Sequence, residues 1–331
     1  MTLTARLTCA SALTALIAIP ATAQDLIPVT FGTNWIAQAE HGGFYQAVAD
    51  GTYAACGLDV TIVPGGPGVN NVALMMAGRM DFYMGGHLDA LFGIVEGVPL
   101  VNVASMFQKE PQVLLTHPGR VSSFEELTQL TVQTSDGAPY WEWMKAAYGF
   151  TDEQREAYTF SSAPFIVNVD SAMQGYLSSE PFSVERETGW TPDVYLIADA
   201  GYNSYSTTIQ TMQATVAERP EVVKCFVEGS IIGWYNYMYN DNTAADAMIL
   251  ADNPEMTQEA IDYAIEKMTE AGIVDSGDAL TLGIGAMTDE RNQSFYDNMV
   301  AAGVIPAGLD ISSSYTLEFI NQGLGMDLKP M

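Results

Sequence analysis

Residues 34–64, NWIAQAEHGGFYQAVADGTYAACGLDVTIVP, constrain this chain more than any other stretch. They follow a short apolar run, Val29–Thr33, that reads as a strand end. A polar-aromatic turn comes next (Asn34, Trp35), then a helical pattern from about Glu40 to Asp50, then a second apolar strand, Leu58–Val63. A strand, a helix and a strand in that order form an α/β unit, and open α/β sheets bind ligands at the carboxyl ends of their strands. Asn34 and Trp35 sit at such an end.

The same rhythm continues. Asp81–Met84, Leu100–Met106 and Gln112–Thr116 read as strands, with helices over Asn70–Arg79 and His87–Glu96. A second unit begins near His117, with a short helix at Phe124–Leu127, a strand at Leu130–Thr134 and a helix at Tyr140–Tyr148. Tyr176–Leu177 and Val194–Ala198 read as further strands of that unit. After about Thr208 the pattern turns helical: Val216–Asn240, bent near Gly229 and Gly233, then Thr243–Ala251, Thr257–Ala271, Asp289–Ala302 and a last helix at Ser314–Asn321. The reading is α/β, with two lobes that are each a mostly parallel sheet flanked by helices. Crossovers are placed near Thr116 and Thr207. That gives a first part of lobe 1 over 24–116, lobe 2 over 117–207, and a second, helical part of lobe 1 over 208–331.

Residues 1–23 read as a signal peptide: one charge (Arg6), an apolar core from Leu7 to Ile19, Pro20, and the small-residue cleavage pattern Ala21-Thr22-Ala23. The mature chain is therefore expected to start near Gln24 and to be exported. It keeps two cysteines, Cys56 and Cys225, which read either as a disulfide or as two separate buried thiols. Forty acidic residues stand against 12 basic ones, a net charge of −28. Such a surface repels nucleic acid and anionic lipid, so neither is expected as a partner. A monomer is expected.

Catalytic signatures are absent from the sequence: there is no nucleophile elbow, no HExxH, no nucleotide loop and no dinucleotide fingerprint. The three histidines, His41, His87 and His117, show no metal-ligand spacing. No metal, cofactor or catalytic residue is assigned. Instead, aromatic and amide groups fall where strands end. Asn34, Trp35, Tyr83, His87, Gly137, Tyr140, Glu180 and Tyr205 are the candidate ligand contacts. Each has a plainer alternative in core packing, turn geometry or, for Glu180, charge complementarity at a helix N-terminus. Aromatic faces with one carboxylate suit a flat nitrogen heterocycle, stacked between rings and giving N–H bonds to the acid. The alternative ligand is an anion, cradled by Gly65–Gly68 and helix N-termini near Val69 and Tyr140. A third reading, of another class, is an enzyme using Glu180 with His87.

Asn34-Trp35, Glu40-His41-Gly42-Gly43-Phe44-Tyr45, Gly57-Leu58-Asp59-Val60 and Gly78-Arg79-Met80-Asp81-Phe82 together resemble the periplasmic binding proteins of ABC importers. The resemblance is to the superfamily of thiamine-pyrimidine-precursor, nitrate, sulfonate and taurine binders. Gln174-Gly175-Tyr176 and Ser179-Glu180-Pro181 extend it into the second lobe. It implies a type II two-lobed binding protein with the ligand in the interlobe cleft, delivering a small solute to a membrane permease. By the same likeness Asn34 and Trp35 contact a pyrimidine-like ring and Glu180 bonds its amino edge. The cysteine-rich iron-binding motif of the fungal pyrimidine-synthesising relatives is absent from the sequence.

Overall fold

The computed structural model describes residues 25–330. The signal-peptide expectation, residues 1–23, lies outside them. Ten strands follow in chain order: β1 Ile27–Gly32, β2 Leu58–Val63, β3 Phe82–Gly85, β4 Leu100–Phe107, β5 Gln112–Thr116, β6 Thr131–Thr134, β7 Arg155–Ala157, β8 Ser171–Tyr176, β9 Asp193–Leu196 and β10 Ser206–Met212. They form two five-stranded sheets, ordered β2-β1-β3-β10-β4 and β7-β6-β8-β5-β9. Helices flank both, giving a two-lobed α/β protein.

Each sheet is mixed for one reason. In the first, β1 runs parallel to β2 and β3, and β10 is antiparallel to β3 and β4. In the second, β6 runs parallel to β7 and β8, and β5 is antiparallel to β8 and β9. The reversed strand in each lobe is the one by which the chain arrives from the other. Leaving one lobe and entering the next without a helix between turns the strand direction over.

The first crossover therefore comes earlier than the sequence suggested. β5 belongs to the second sheet, so the chain changes lobe between Phe107 and Gln112, not near Thr116. On the way back, Thr207 already lies within β10. The expected helix over Val216–Asn240 is two helices, Gln213–Glu218 and Pro220–Tyr239, broken where proline follows Arg219. The second one runs unbroken through Gly229 and Gly233. Gly233 lets it approach the helix Gly42–Ala49 so closely that a Cβ there would overlap the Gly43 carbonyl. The expected helix at Ser314–Asn321 is absent: Ile311–Ser313 is a single 3-10 turn, and Tyr315 makes an isolated bridge to Asn102.

Cys56 and Cys225 are joined in a disulfide, with Cα atoms 5.9 Å apart. It ties the short helix Thr52–Ala55 to Pro220–Tyr239 beneath an aromatic core of Phe31, Phe44, Phe82, Phe226 and Trp234. A second core joins Leu114, Val132, Trp141 and Met144 of the β5–β9 lobe to Phe295 and Met299 of the helix Asp289–Ala301. The late helical segment thus packs against both lobes. Among the described residues no helix is long and apolar enough to cross a membrane.

Candidate functional site

The strand ends of the two sheets meet across a cleft where three adjoining cavities open; a further one, of about 300 Å3, shares Gln38, Glu40 and Ser179 with the first of them and carries Arg186. The first, of about 160 Å3, is lined by Asn34, Trp35, Met84, Tyr158, Phe160, Gln174, Tyr176 and Glu180 among others. A second, of about 500 Å3, shares Asn34, Met84 and Tyr176 with it. A third, of about 230 Å3, shares Gly86, Asp89 and Glu110 with the second. Tyr176, the last residue of β8, borders all three.

The turn after β1 presents Trp35. Gly65 pins that turn by donating to the Trp35 carbonyl at 2.9 Å and to Thr33 Oγ1 at 3.1 Å. A side chain at Gly65 would overlap the Thr33 carbonyl, so this glycine supports the turn. From the other lobe, Phe160 reaches across and stacks on Trp35, with ring centres 5.5 Å apart and planes 25° from parallel. Phe160 holds a left-handed φ of 59° and is 58% exposed as a residue. An aromatic residue in that backbone state, left in solvent, is the kind of costly local choice that clusters at binding sites.

Glu180 opens the helix Glu180–Thr188, just after β8. Its side chain folds back over Gly175, where a Cβ would lie 2.7 Å from the Glu180 Cβ. Oε2 accepts the Tyr176 N–H at 2.6 Å. Burial raises its pKa to about 7, against the lowering pull of that N–H, and the neighbouring Glu40 charge adds to the rise. Glu40 is itself buried, accepts the Ser178 hydroxyl from the opposite lobe, and is pushed up by desolvation. Burial also raises Asp89 and Glu110. No lysine or arginine lines any of the three cavities, and none of these four acids has a salt-bridge partner among the described residues. These three cavities are therefore better suited to N–H-rich groups than to anions.

The eight expected contacts separate into groups. Asn34, Trp35 and Glu180 line one cavity. His41 steadies Asn34: its Nε2 lies 3.2 Å from Asn34 Oδ1, and burial lowers its pKa to about 3, which keeps the ring neutral. Tyr140 lines the 230 Å3 cavity, but its hydroxyl is taken by Thr134 at 2.6 Å and Gln174 at 2.8 Å. Gln174 Oε1 also accepts the Ser135 N–H at 2.5 Å, which leaves its amide NH2 for the cleft. Tyr83 borders the 500 Å3 cavity, yet its hydroxyl bonds Gln210 within the sheet.

The other three are placed less favourably for ligand contact. His87 borders the 230 Å3 cavity, but Nε2 meets Asn292 Oδ1 at 2.8 Å and Nδ1 accepts the Tyr205 N–H at 3.2 Å. Neither ring nitrogen is left for a ligand. Tyr205 is wholly buried and absent from the cleft walls. Its hydroxyl donates to Asp278 at 2.7 Å and accepts the Thr288 N–H at 3.0 Å. Ser204 and Ser206, on either side of it, line the cleft instead. Gly137 lines none of the three cavities and serves its turn through a φ of 72°.

Sequence reasoning missed Glu110, Asp89, Tyr158 and Phe160. Glu110 had a usable signal, a lone acid in a short link between two strands whose residues are all buried. Phe160 had none, because its contact with Trp35 spans the two lobes.

Residues 38–245 match a family model described as NMT1/THI5 like. Over 316 residues the chain is 24% identical to the riboflavin-binding protein RibY of Chloroflexus aurantiacus, covering 89% of this chain and 86% of that protein. Among solved structures, a putative sulfonate-transporter periplasmic binding protein from Methylobacillus flagellatus KT aligns with a TM-score of 0.64 at 12% identity, over 89% of this chain and 93% of its own. The periplasmic nitrate-binding protein NrtA of Synechocystis PCC 6803 aligns with a TM-score of 0.55 at 14% identity, over 93% of this chain and 89% of its own. These two structural likenesses are likenesses of fold. The match over 38–245, carried on a two-lobed binding-protein fold, shows that the chain belongs to the NMT1/THI5-like family.

Proposed function

We propose that this chain is the solute receptor of an ABC importer, working in the periplasm and handing a flat nitrogen heteroaromatic to its permease. One observation carries the reading. Trp35 and Phe160 approach from opposite lobes and stack beside Glu180, in a cavity without a lysine or arginine. A planar ring can replace the direct Trp35–Phe160 contact and give N–H groups, one of them on a protonated ring nitrogen, to Glu180 and the Gln174–Asn34 amides. A pyrimidine-like ring fits the 160 Å3 slot. Riboflavin belongs in any ligand panel because the curated relative RibY is named for it. Lobe opening would admit the ring, and closure around it would select the state that docks on the permease.

The anion reading has less support. Of the loop Gly65–Gly68 only Gly68 borders the 500 Å3 cavity, the helix behind it spans only Asn71–Met76, and Asn70 already caps that helix by accepting the Ala73 N–H at 2.9 Å. Asp89 and Glu110 share that cavity. The enzyme reading needs Glu180 and His87 as an acid–base pair, and both nitrogens of His87 are occupied.

The test is thermal melting with aminopyrimidines, nucleobases, riboflavin, taurine, alkanesulfonates and nitrate, because a ligand selective for the native state raises the melting temperature. A heterocycle is expected to stabilise the chain and to be recovered unchanged. Stabilisation by sulfonates or nitrate alone overturns the reading.

A further inference from the structure

Backbone groups turn the amides of the ring slot, and so decide which amide atom meets a ligand. Gln174 is on β8 and Gln112 on β5. The register pairs Gln112 with Tyr176 and Leu114 with Gln174, so both glutamines stand on one face of the sheet. One amide atom of Gln174 meets the Ser135 N–H at 2.5 Å and the Tyr140 hydroxyl at 2.8 Å. A backbone N–H only donates, so that atom is Oε1 and the NH2 is the one left over. Gln112 is turned the opposite way. It gives its NH2 to the Gly175 carbonyl at 2.9 Å, and a carbonyl only accepts, so Oε1 is left over. Neither Gln174 Nε2 nor Gln112 Oε1 has a hydrogen-bond partner among the described residues, and neither is sealed from solvent, so both are free at the slot these side chains line.

Asn34 is turned by His41. The His41 ring is buried and neutral, so it carries one proton. Nε2 lies 3.2 Å from Asn34 Oδ1, and Nδ1 is buried without a partner. A buried N–H without an acceptor is rarer than a bare lone pair, so the proton sits on Nε2 and goes to Asn34 Oδ1. The Asn34 NH2 is then left for the cleft. The slot thus holds two amide donors, one from each lobe. Its open acceptors include Gln112 Oε1 and the second oxygen of Glu180, whose first takes the Tyr176 N–H.

We propose that the slot selects a ring with carbonyl oxygens beside its N–H, a cyclic amide or imide, over the amino-substituted ring of the same shape, and that Gln174 is the residue that decides between them. The Gln174 and Asn34 NH2 groups donate to ring carbonyls, and the ring N–H donates to Glu180. An amino group in place of a carbonyl sets two donors against each other and leaves the amide unpaired. This rests on the ring-receptor reading above and narrows it: the ring's N–H groups go to Glu180 and Gln112, and the Gln174 and Asn34 amides take acceptors.

The experiment is titration calorimetry of the full chain at pH 8 with two series, each of one shape and graded from two carbonyls to none: uracil, cytosine and 2,4-diaminopyrimidine; lumazine, pterin and 2,4-diaminopteridine. In the series that binds, each carbonyl replaced by an amino group is expected to weaken binding about tenfold or more, the effect of a lost hydrogen bond and an unpaired donor. Gln174→Glu puts an acceptor oxygen where the NH2 was, and is expected to reverse the order, raising the diamino member above the dioxo one. Gln174→Met is expected to flatten it. Diamino members that bind the native chain as tightly as the dioxo ones overturn the proposal, as does an order that Gln174→Met leaves unchanged. Both outcomes leave the ring slot standing. If no ring of either series binds, slot and selection fail together.

Discussion

At the scale of single residues, Glu180 carries the sharpest expectation. Its carboxyl is raised from 4.5 to about 7 by burial, so the folded chain holds a proton there that the unfolded chain has released. The stability linked to that proton is full below pH 4.5 and is lost as pH rises through 7. Glu180→Gln removes the cost of the ionised form. It is expected to raise the stability of the unliganded protein relative to the native chain by on the order of 1–3 kcal/mol at pH 8 and by little at pH 4.5. Denaturation curves at both pH values measure this. The same variant should weaken heterocycle binding about tenfold or more, because one charged hydrogen-bond acceptor is gone. A residue that costs stability and favours binding is what a site residue looks like. A variant that loses stability at pH 8 instead would place Glu180 among ordinary structural carboxylates.

At the scale of elements, two devices hold the first lobe's helices together. The helix Pro220–Tyr239 lies against Gly42–Ala49 through glycines on both sides: a Cβ on Gly43 would run into Trp234, and one on Gly233 into the Gly43 carbonyl. The disulfide Cys56–Cys225 fastens the same helix from its other end. Replacing both cysteines by serine is expected to lower stability by about 2–4 kcal/mol, since the closed loop is long and its unfolded state is strongly restricted by the link. Chemical denaturation with and without reductant checks it. Gly233→Val should be worse than either cysteine change, because the obstructing atom is backbone and cannot rotate away. The cysteine spacing showed only that a pair was possible, since pairing depends on Thr52–Ala55 and Pro220–Tyr239, far apart in sequence, packing together.

At the scale of the whole molecule, the two lobes are joined unequally. On one flank Arg291 donates to the carbonyls of Gln108 and Ser204, one in each crossover, with Tyr205 lying 4.0 Å beneath its guanidinium. The same helix sends Phe295 and Met299 into the core of the second lobe. On the opposite flank the lobes touch through Glu40–Ser178, Trp35–Phe160 and Phe182–Tyr263. The cleft is expected to open on that lighter side and hinge on the Arg291 side. Arg291→Met should cost about 3 kcal/mol in denaturation, the scale of breaking a buried charged network. Ser178→Ala should cost under about 1 kcal/mol and increase the radius of gyration of the unliganded protein in small-angle scattering. Equal costs at the two flanks would remove the asymmetry.

Much of this molecule is written in local pattern. The alternation of strands and helices, the turn that carries Asn34 and Trp35, and the Gly175-to-Glu180 turn are legible because each depends on neighbours within a few residues. What the sequence determined by itself is the α/β lobed architecture, the family likeness and the place of the strand ends. The tertiary structure decided the rest. It moved the first crossover ahead of β5 because strand pairing, not strand composition, assigns a strand to a sheet. It paired the polar atoms of His87 and Tyr205 with Asn292 and Asp278, partners distant in sequence. It supplied Phe160, Asp89 and Glu110 because a cleft between two lobes exists only after both have folded and met.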